Sequence, residues 1–500
     1  MRRIGKILTS RMIATAFNII MQFALILLFA LYFDDAFLYY YSITLVLSML
    51  CCVYVINKNM NSGFKIAWIL LLLIIPMFGL TLFIMLEGSW FTMHKKKKMR
   101  KITERIKDGL HCNENVKLDD SYAQKQSNYI EKYAYSPPVK NTKSKYFSCG
   151  EDYFVSLLND LKTAEKSIFV EYFIIKESLM WDEIKKILAE KASQGVDVRV
   201  IYDDFGSIDK IKKKQVKELV SLGIRVKRFN PFVPVISLLL NYRDHRKICT
   251  IDSKIAYSGG VNLGDEYINR NVRFGHWKDS GIALYGEGAY SFEVFFLTLW
   301  EYITKEKQAM VKPEYEEVDA GIYQPYTDSP VDVENVGANV YMNMIFQAQK
   351  YVYISTPYFV VDDEMLKTIT NAAKSGVDVR IVLPHIPDKK MVNQATKSYY
   401  TRLIKSGVKV YEYKRGFNHS KIVVSDDKIA TVGSVNFDYR SFYLSYECGV
   451  WMYNTETVAD VLADFNNMIN ESIKISLEDC RVTPFTRALR ALIAAFAPLF

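Results

Sequence analysis

Residues His245 to Asn262 read HRKICTIDSKIAYSGGVN, and residues His419 to Asn436 read HSKIVVSDDKIATVGSVN. No other feature constrains the fold as much. The passage GVDVRVIYDD from Gly195 is repeated as GVDVRIVLPH from Gly376, and EYFII (Glu171 to Ile175) is echoed by PYFVV (Pro357 to Val361). Strand, helix, strand and motif recur in the same order, which predicts two copies of one unit. In the first copy, SIFVEYFII and VDVRVIYDD are β-rich, and SLMWDEIKKILAEKASQG between them has helical periodicity and stops at Gly195. That alternation predicts an α/β fold. Two copies are too few for a solenoid. The expectation is a pseudo-two-fold pair of α/β repeats packed face to face, with equivalent residues meeting at the shared interface.

The repeated motif carries the chemistry. His245, Lys247 and Asp252 match His419, Lys421 and Asp426; Gly259, Gly260 and Asn262 match Gly433, Ser434 and Asn436. On a strand, residues two apart share a face, so each His and Lys project into one pocket. Two lysines supply compact charge for a phosphate, and Asn262, Asn436, Gly260 and Ser434 add donors for the charge that builds in phosphoryl transfer. One neutral imidazole can attack phosphorus and the other, protonated, can give its proton to the leaving alkoxide. Asp252 and Asp426 are candidates for a catalytic role or for holding a turn. The remaining histidines, His94, His111, His276 and His385, have no copies at equivalent positions and read as structural. The seven cysteines form no CxxC pair, and no His/Cys/Asp/Glu cluster has ligand spacing, so neither a disulfide framework nor a metal site is expected.

The N-terminal end is different. From Met12 to Leu86 the only charges are Asp34, Asp35, Lys58 and Lys65. They bound three apolar stretches, Ile13 to Phe33, Ala36 to Ile56 and Phe64 to Leu86, each at least 21 residues long, and a membrane-crossing helix needs ~20. Two or three transmembrane helices are expected over residues 1–94. Lysines and arginines flank the stretches evenly, so the positive-inside rule does not orient them. The cluster Lys95 to Lys98 reads as solvated charge or as a contact for anionic lipid. A polar segment follows to residue 148 and reads as a linker. The first repeat is expected over residues 149–310, a Pro-containing connector over 311–334, the second repeat over 335–484, and an apolar segment with Arg487 and Arg490 over 485–500. That last segment suits an amphipathic helix on a membrane, or a docked terminal helix. The net charge of +9 favours anionic partners without choosing among them.

The paired HxKxxxxD motifs, followed by GGxN and GSxN, resemble the phospholipase D superfamily. Closer still are its bacterial cardiolipin synthases. Thr356 to Leu366 (TPYFVVDDEML), Asn436 to Phe442 (NFDYRSF), Tyr446 to Gly449 (YECG), Trp277 to Ile282 (WKDSGI) and the apolar Lys65 to Phe83 carry that narrower match, which covers about residues 36 to 485. The stretch Ile13 to Phe33 is additional to the family's usual two spans. Ser445 and Asn418 depart from its pattern without removing a catalytic group. The resemblance implies a phosphatidyltransferase in a bacterial cell membrane, multi-pass with a cytoplasmic catalytic domain, needing no metal or other cofactor and no nucleic acid. Phosphatidylglycerol would be donor and acceptor, cardiolipin the product. His245 would be the nucleophile and His419 the acid and base; Lys247, Lys421, Asn262 and Asn436 would hold the phosphate. Glu447 and Asp279 would orient the histidines or form ordinary buried ion pairs. Hydrolysis to phosphatidic acid, transfer to serine, and nuclease action with the same motif are the competing readings.

Overall fold

The computed structural model describes residue 24 and residues 34–58, 60–86, 97–101, 104–110, 116–231, 242–318 and 320–495. The chain divides into two compact units: an N-terminal unit, and a large unit comprising residues 99–229 and 243–497.

In the N-terminal unit, helices α1 (Asp34–Asn57), α2 (Ser62–Ile74) and α3 (Pro76–Leu86) pack together. Their core is Cys52, Val55, Trp68, Leu72, Leu80 and Phe83, with the Trp68 and Phe83 rings edge to face at 5.2 Å. A side chain at Gly79 would lie 2.5 Å from the Leu71 carbonyl, so only glycine permits this approach of α3 to α2. The stretch Phe64 to Leu86 is therefore not one helix. Ile75 leaves the helical conformation (φ −131°, ψ 71°) because the residue before a proline is sterically excluded from it. The two pieces have 13 and 11 residues. The first turns of α1 carry Asp34, Asp35 and three consecutive tyrosines, Tyr39 to Tyr41. Among the described residues no helix is long and apolar enough to cross a membrane, which is a correction to the expected transmembrane helices. The first expected span, Ile13 to Phe33, lies outside the described residues apart from Ala24, as do His94, Lys95, Lys96 and His111.

The large unit holds both repeats, each built on a mixed sheet. In the first, seven strands run in the order Thr142–Phe147, Gly281–Gly286, Ile255–Gly259, Lys247–Ile251, Ser167–Tyr172, Asp197–Asp203, Arg225–Phe229. The second begins with the same order: Ile322–Asp328, Ser445–Tyr453, Ile429–Gly433, Ile422–Ser425, Tyr351–Ser355, Asp378–Pro384, Lys409–Tyr413, then adds Ser472–Lys474. The duplicated α/β architecture is thus present strand for strand. Several central strands are buried along their whole length, such as Lys247–Ile251 and Ile429–Gly433; such strands read as unbroken apolar runs.

Register corrects one equivalence. Glu171 lies opposite Ile248 and Ser355 opposite Ile422. Glu171 therefore corresponds to Ser355, two residues from the EYFII–PYFVV match. The polar segment before residue 149 is also more than a linker. Ser121–Ala134 is a helix whose Ala123, Ile130 and Ala134 join the core of the second repeat, and Thr142–Phe147 is an edge strand of the first sheet. Likewise the connector supplies Ile322–Asp328, an edge strand of the second sheet, where Pro325 is tolerated. The terminal helix Pro484–Ala495 docks on the helix Lys390–Lys405, with Arg490 Nε 2.9 Å from Gln394 Oε1, and leaves Phe485, Leu489 and Leu492 exposed.

Candidate active site

Each histidine is delivered by a short strand that pairs with the opposite repeat. Arg243–Asp244 runs parallel to Ser445–Tyr446, and His245 N donates to the Tyr446 carbonyl at 2.9 Å. Gly416–Asn418 runs parallel to His276–Lys278, and His419 N donates to the Lys278 carbonyl at 2.6 Å. The next residue along each host strand is a carboxylate. Glu447 therefore meets His245 and Asp279 meets His419. His245 Nδ1 is 2.9 and 3.0 Å from the two Glu447 oxygens, and His419 Nδ1 is 2.7 Å from Asp279 Oδ2. With Nδ1–H donating to the carboxylate, each imidazole keeps its Nε2 lone pair for chemistry.

The surroundings are dry and basic. Phe173 stands edge-on to His245 at 5.0 Å, while Trp277, Tyr267 and Phe417 lie 5.1, 5.7 and 5.7 Å from the His419 ring. Burial, then the charges of Lys247 and Lys421, drive His245 well below its ordinary range. His419 is lowered to about 4 by burial and Lys421, with Asp279 opposing. The charge of each lysine thus bears on both histidines. Burial takes Lys247 down to about 8 and Lys421 down to about 7, and both ammonium groups donate to the carbonyl of the histidine two residues earlier.

The two carboxylates differ. Burial raises Asp279, but the charge of His419 and its hydrogen bond outweigh this and hold it below the usual range. It also accepts from Trp277 Nε1 at 3.2 Å and Ser280 N at 2.9 Å. Glu447 is pushed up to about 7 by burial and accepts from the Ser434 hydroxyl. His419 therefore has an ionised partner, while the partner of His245 titrates near neutral pH.

The other expected site residues are placed as follows. Asn262 Oδ1 accepts from Ile174 N at 3.1 Å, and Asn436 Oδ1 is buried without a hydrogen-bond partner. Gly260 and Ser434 stand behind the histidines and are not free to donate to a phosphate. Their amides bond the Ser280 and Cys448 carbonyls at 2.9 and 2.8 Å, and a side chain at Gly260 would fall 2.0 Å from Asp279 Oδ1. Asp252 and Asp426 are not brought to the site. Each follows its motif strand at the end away from the histidine and accepts three backbone N–H groups, from residues 165–167 and 349–351 respectively. Both adopt positive φ of 54°, so the turn-holding role is the one the geometry supports. His276 bonds Tyr413 Oη at 3.0 Å and His385 bonds Glu412 at 2.8 Å.

One arrangement has no precedent in the motif comparison. Behind His245, Arg246 Nε bridges Glu171 at 2.7 Å and Asp244 at 3.2 Å. The corresponding residues of the second repeat, Ser420, Ser355 and Asn418, form an uncharged set, with Asn418 Nδ2 2.9 Å from Ser355 Oγ. The unlike residues beside the two histidines, Asp244 and Asn418, were its visible trace. Among the described residues no group of His, Cys, Asp or Glu could hold a metal ion.

The family description "Cardiolipin synthase, PLD-like domain" matches residues 157–280 and 341–469, and "Phospholipase_D-nuclease N-terminal" matches residues 46–87. The chain is 33% identical to a cardiolipin synthase of Alkalihalophilus pseudofirmus, covering 94% of this chain and 97% of that one. It is 32% identical to a cardiolipin synthase of Halalkalibacterium halodurans, covering 88% and 90%, and 40% identical to an uncharacterized protein of Streptococcus mutans, covering 89% and 98%. A phosphatidylserine synthase of Haemophilus influenzae shares the fold, with a TM-score of 0.56 at 15% identity over 76% of this chain and 98% of that one. With both repeats matched and relatives of this similarity along nearly its whole length, the chain belongs to the cardiolipin synthase family of phospholipase D-like phosphatidyltransferases.

Proposed function

We propose that the protein transfers a phosphatidyl group from one phosphatidylglycerol to another, releasing glycerol and forming cardiolipin through a phosphatidyl-histidine. The observation that carries this reading is the unequal pair of histidine–carboxylate couples around two buried lysines. His245, neutral, attacks phosphorus through Nε2; the P–N bond forms and the P–O bond to glycerol breaks. The glycerol oxygen takes a proton from His419, whose imidazolium is supported by the ionised Asp279. Burial and then Lys421 disfavour that imidazolium; the phosphate of a bound lipid offsets the lysines and restores it. The hydroxyl of a second phosphatidylglycerol then attacks phosphorus, its proton passes to His419, and the P–N bond breaks. Lys247 and Lys421 hold the phosphate oxygens, with the Asn262 and Asn436 amides beside them.

The reading includes membrane attachment through the N-terminal unit. Its helices turn Ile43, Tyr54 and Ile74 outward at 60, 58 and 70% exposure, together with many other large apolar side chains. Exposed apolar side chains in that number mark an interaction with lipid or protein, and both substrates reside in a bilayer.

The test is purified protein in phosphatidylglycerol micelles, followed by lipid mass spectrometry and a glycerol assay. Equal rises of cardiolipin and glycerol are expected. Phosphatidic acid in place of cardiolipin would show that water is the acceptor and refute the reading. Denatured enzyme quenched during turnover is expected to carry a phosphatidyl adduct on the peptide containing His245, absent in His245→Ala.

A further inference from the structure

In each repeat the same loop, the one after the strand that follows the second helix, carries a lysine. Lys210 follows the strand Asp197–Asp203, and Lys389 follows its counterpart Asp378–Pro384. Each stands behind an aromatic layer. Lys210 Nζ donates to the Gly206 carbonyl at 2.8 Å; Gly206 is packed so closely on Phe173 that a side chain there would lie 2.6 Å from the ring; and Phe173 abuts His245. On the other side, Lys389 Nζ lies 4.9 Å over the Tyr358 ring, which is anchored by Asp388 at 2.6 Å. Tyr358 leads through Phe417, at 6.3 Å, to His419.

The two lysines are electrostatically joined. Burial lowers Lys210 first; among its neighbours, Glu266 opposes this, and Lys176, Lys389 and Arg273 lower it further. Lys389 also bears on His245. Lys176 is neutralised by Glu266 at 3.0 Å, whereas among the described residues no carboxylate lies at ion-pair distance from Lys210 or Lys389. Glu266 and Asp438 bear on the two lysines without direct ion-pair contact, and cations so incompletely paired suit an anion. The phosphate at the reacting centre already has Lys247 and Lys421.

We propose that Lys210 and Lys389 form a second anion subsite at the mouth of the active site, which binds the unreacting phosphate of the acceptor lipid. This rests on the transfer reading above, in which two phosphodiesters occupy the site and only one is cleaved. The subsite holds the acceptor so that its free hydroxyl reaches the phosphatidyl-histidine, and it selects an anionic acceptor over water and neutral alcohols.

Ethanol competing with phosphatidylglycerol in mixed micelles tests it. The enzyme then divides its phosphatidyl group between cardiolipin and phosphatidylethanol. Lys210→Ala with Lys389→Ala is expected to lower the cardiolipin-to-phosphatidylethanol ratio about tenfold, the effect of losing a charged contact. Arginine at both positions is expected to restore most of it. Lys389→Gln alone, at an exposed side chain, should lower the ratio about threefold and serves if the double variant does not fold. An unchanged ratio in a variant with the parent thermal profile overturns the subsite while leaving the transfer reading intact. Parent enzyme that yields phosphatidylethanol but no cardiolipin overturns the transfer reading, and the subsite with it.

Discussion

Asp279 Oδ2 lies 2.7 Å from His419 Nδ1, yet the two residues are 140 positions apart and belong to different repeats. The contact follows from the strand Gly416–Asn418 lying along His276–Lys278. A buried carboxylate at this point fixes the imidazole tautomer and supports its protonated form. Asp279→Asn keeps the shape and removes the charge. It should lower kcat by about 10²- to 10⁴-fold, by analogy with an asparagine placed behind a catalytic histidine. Kinetics on folded variant would check this; a loss within threefold would show that the ion pair is merely structural.

The lysines set the pH dependence. kcat/KM reports the free enzyme. It should fall as pH rises through about 7 to 8, where Lys421 and Lys247 lose their charge, and on the acid side, well below the ordinary histidine range, as the attacking His245 gains a proton. Stability should move the other way. Lys421 titrates near 10.5 ordinarily and about 7 in the fold. Between those values the unfolded chain binds more protons, so stability rises with pH, by at most about 1.4 kcal/mol per pH unit. Urea midpoints at pH 7 and 9 should show the increase, and Lys421→Met should flatten it.

Asp252→Ala removes an acceptor from three backbone amides. It should cost about 2–4 kcal/mol of stability, a few charge-assisted hydrogen bonds, while the folded fraction retains its turnover. Calorimetry and single-temperature kinetics separate the two. A folded but inactive variant would return Asp252 to the chemistry.

Gly260→Ala should be nearly inactive. The added methyl would occupy the position of Asp279 Oδ1, and the carboxylate must leave His419 to admit it. The overpacking cost of about 1–3 kcal/mol should appear in thermal unfolding, and the activity loss should resemble that of Asp279→Asn. Near-normal kcat would show that Asp279 can be displaced harmlessly.

Much of this was legible in the sequence because it is local. The repeat announced two equivalent sheets, and the HxK spacing put each histidine and lysine on one face of a strand. Glu447 and Asp279 could be named as partners of the histidines, but their crossed assignment depends on parallel pairing between segments 202 and 140 residues apart, which no local periodicity encodes. Asp252 and Asp426 share the motif for a different reason, the locking of a turn, and spacing alone cannot separate the two causes. Gly260 and Ser434 looked like donors; packing against Asp279 and Glu447 uses their small size instead. Hydropathy ran through Pro76, although the pre-proline restriction at Ile75 divides that stretch into two short helices.

Because each motif histidine leans on the other half's carboxylate, a solitary half would hold its imidazole with nothing to orient it. Two identical halves associating around a two-fold axis would complete two equivalent couples at once. Covalent fusion of such a duplicate removes the requirement that the halves stay alike. The present chain records the resulting freedom: aspartate on one side and glutamate on the other, glycine against serine, a charged triad against a neutral one. In a symmetric pair either histidine could take either part once a substrate bound; unlike surroundings are what allow a tandem chain to assign the parts in advance.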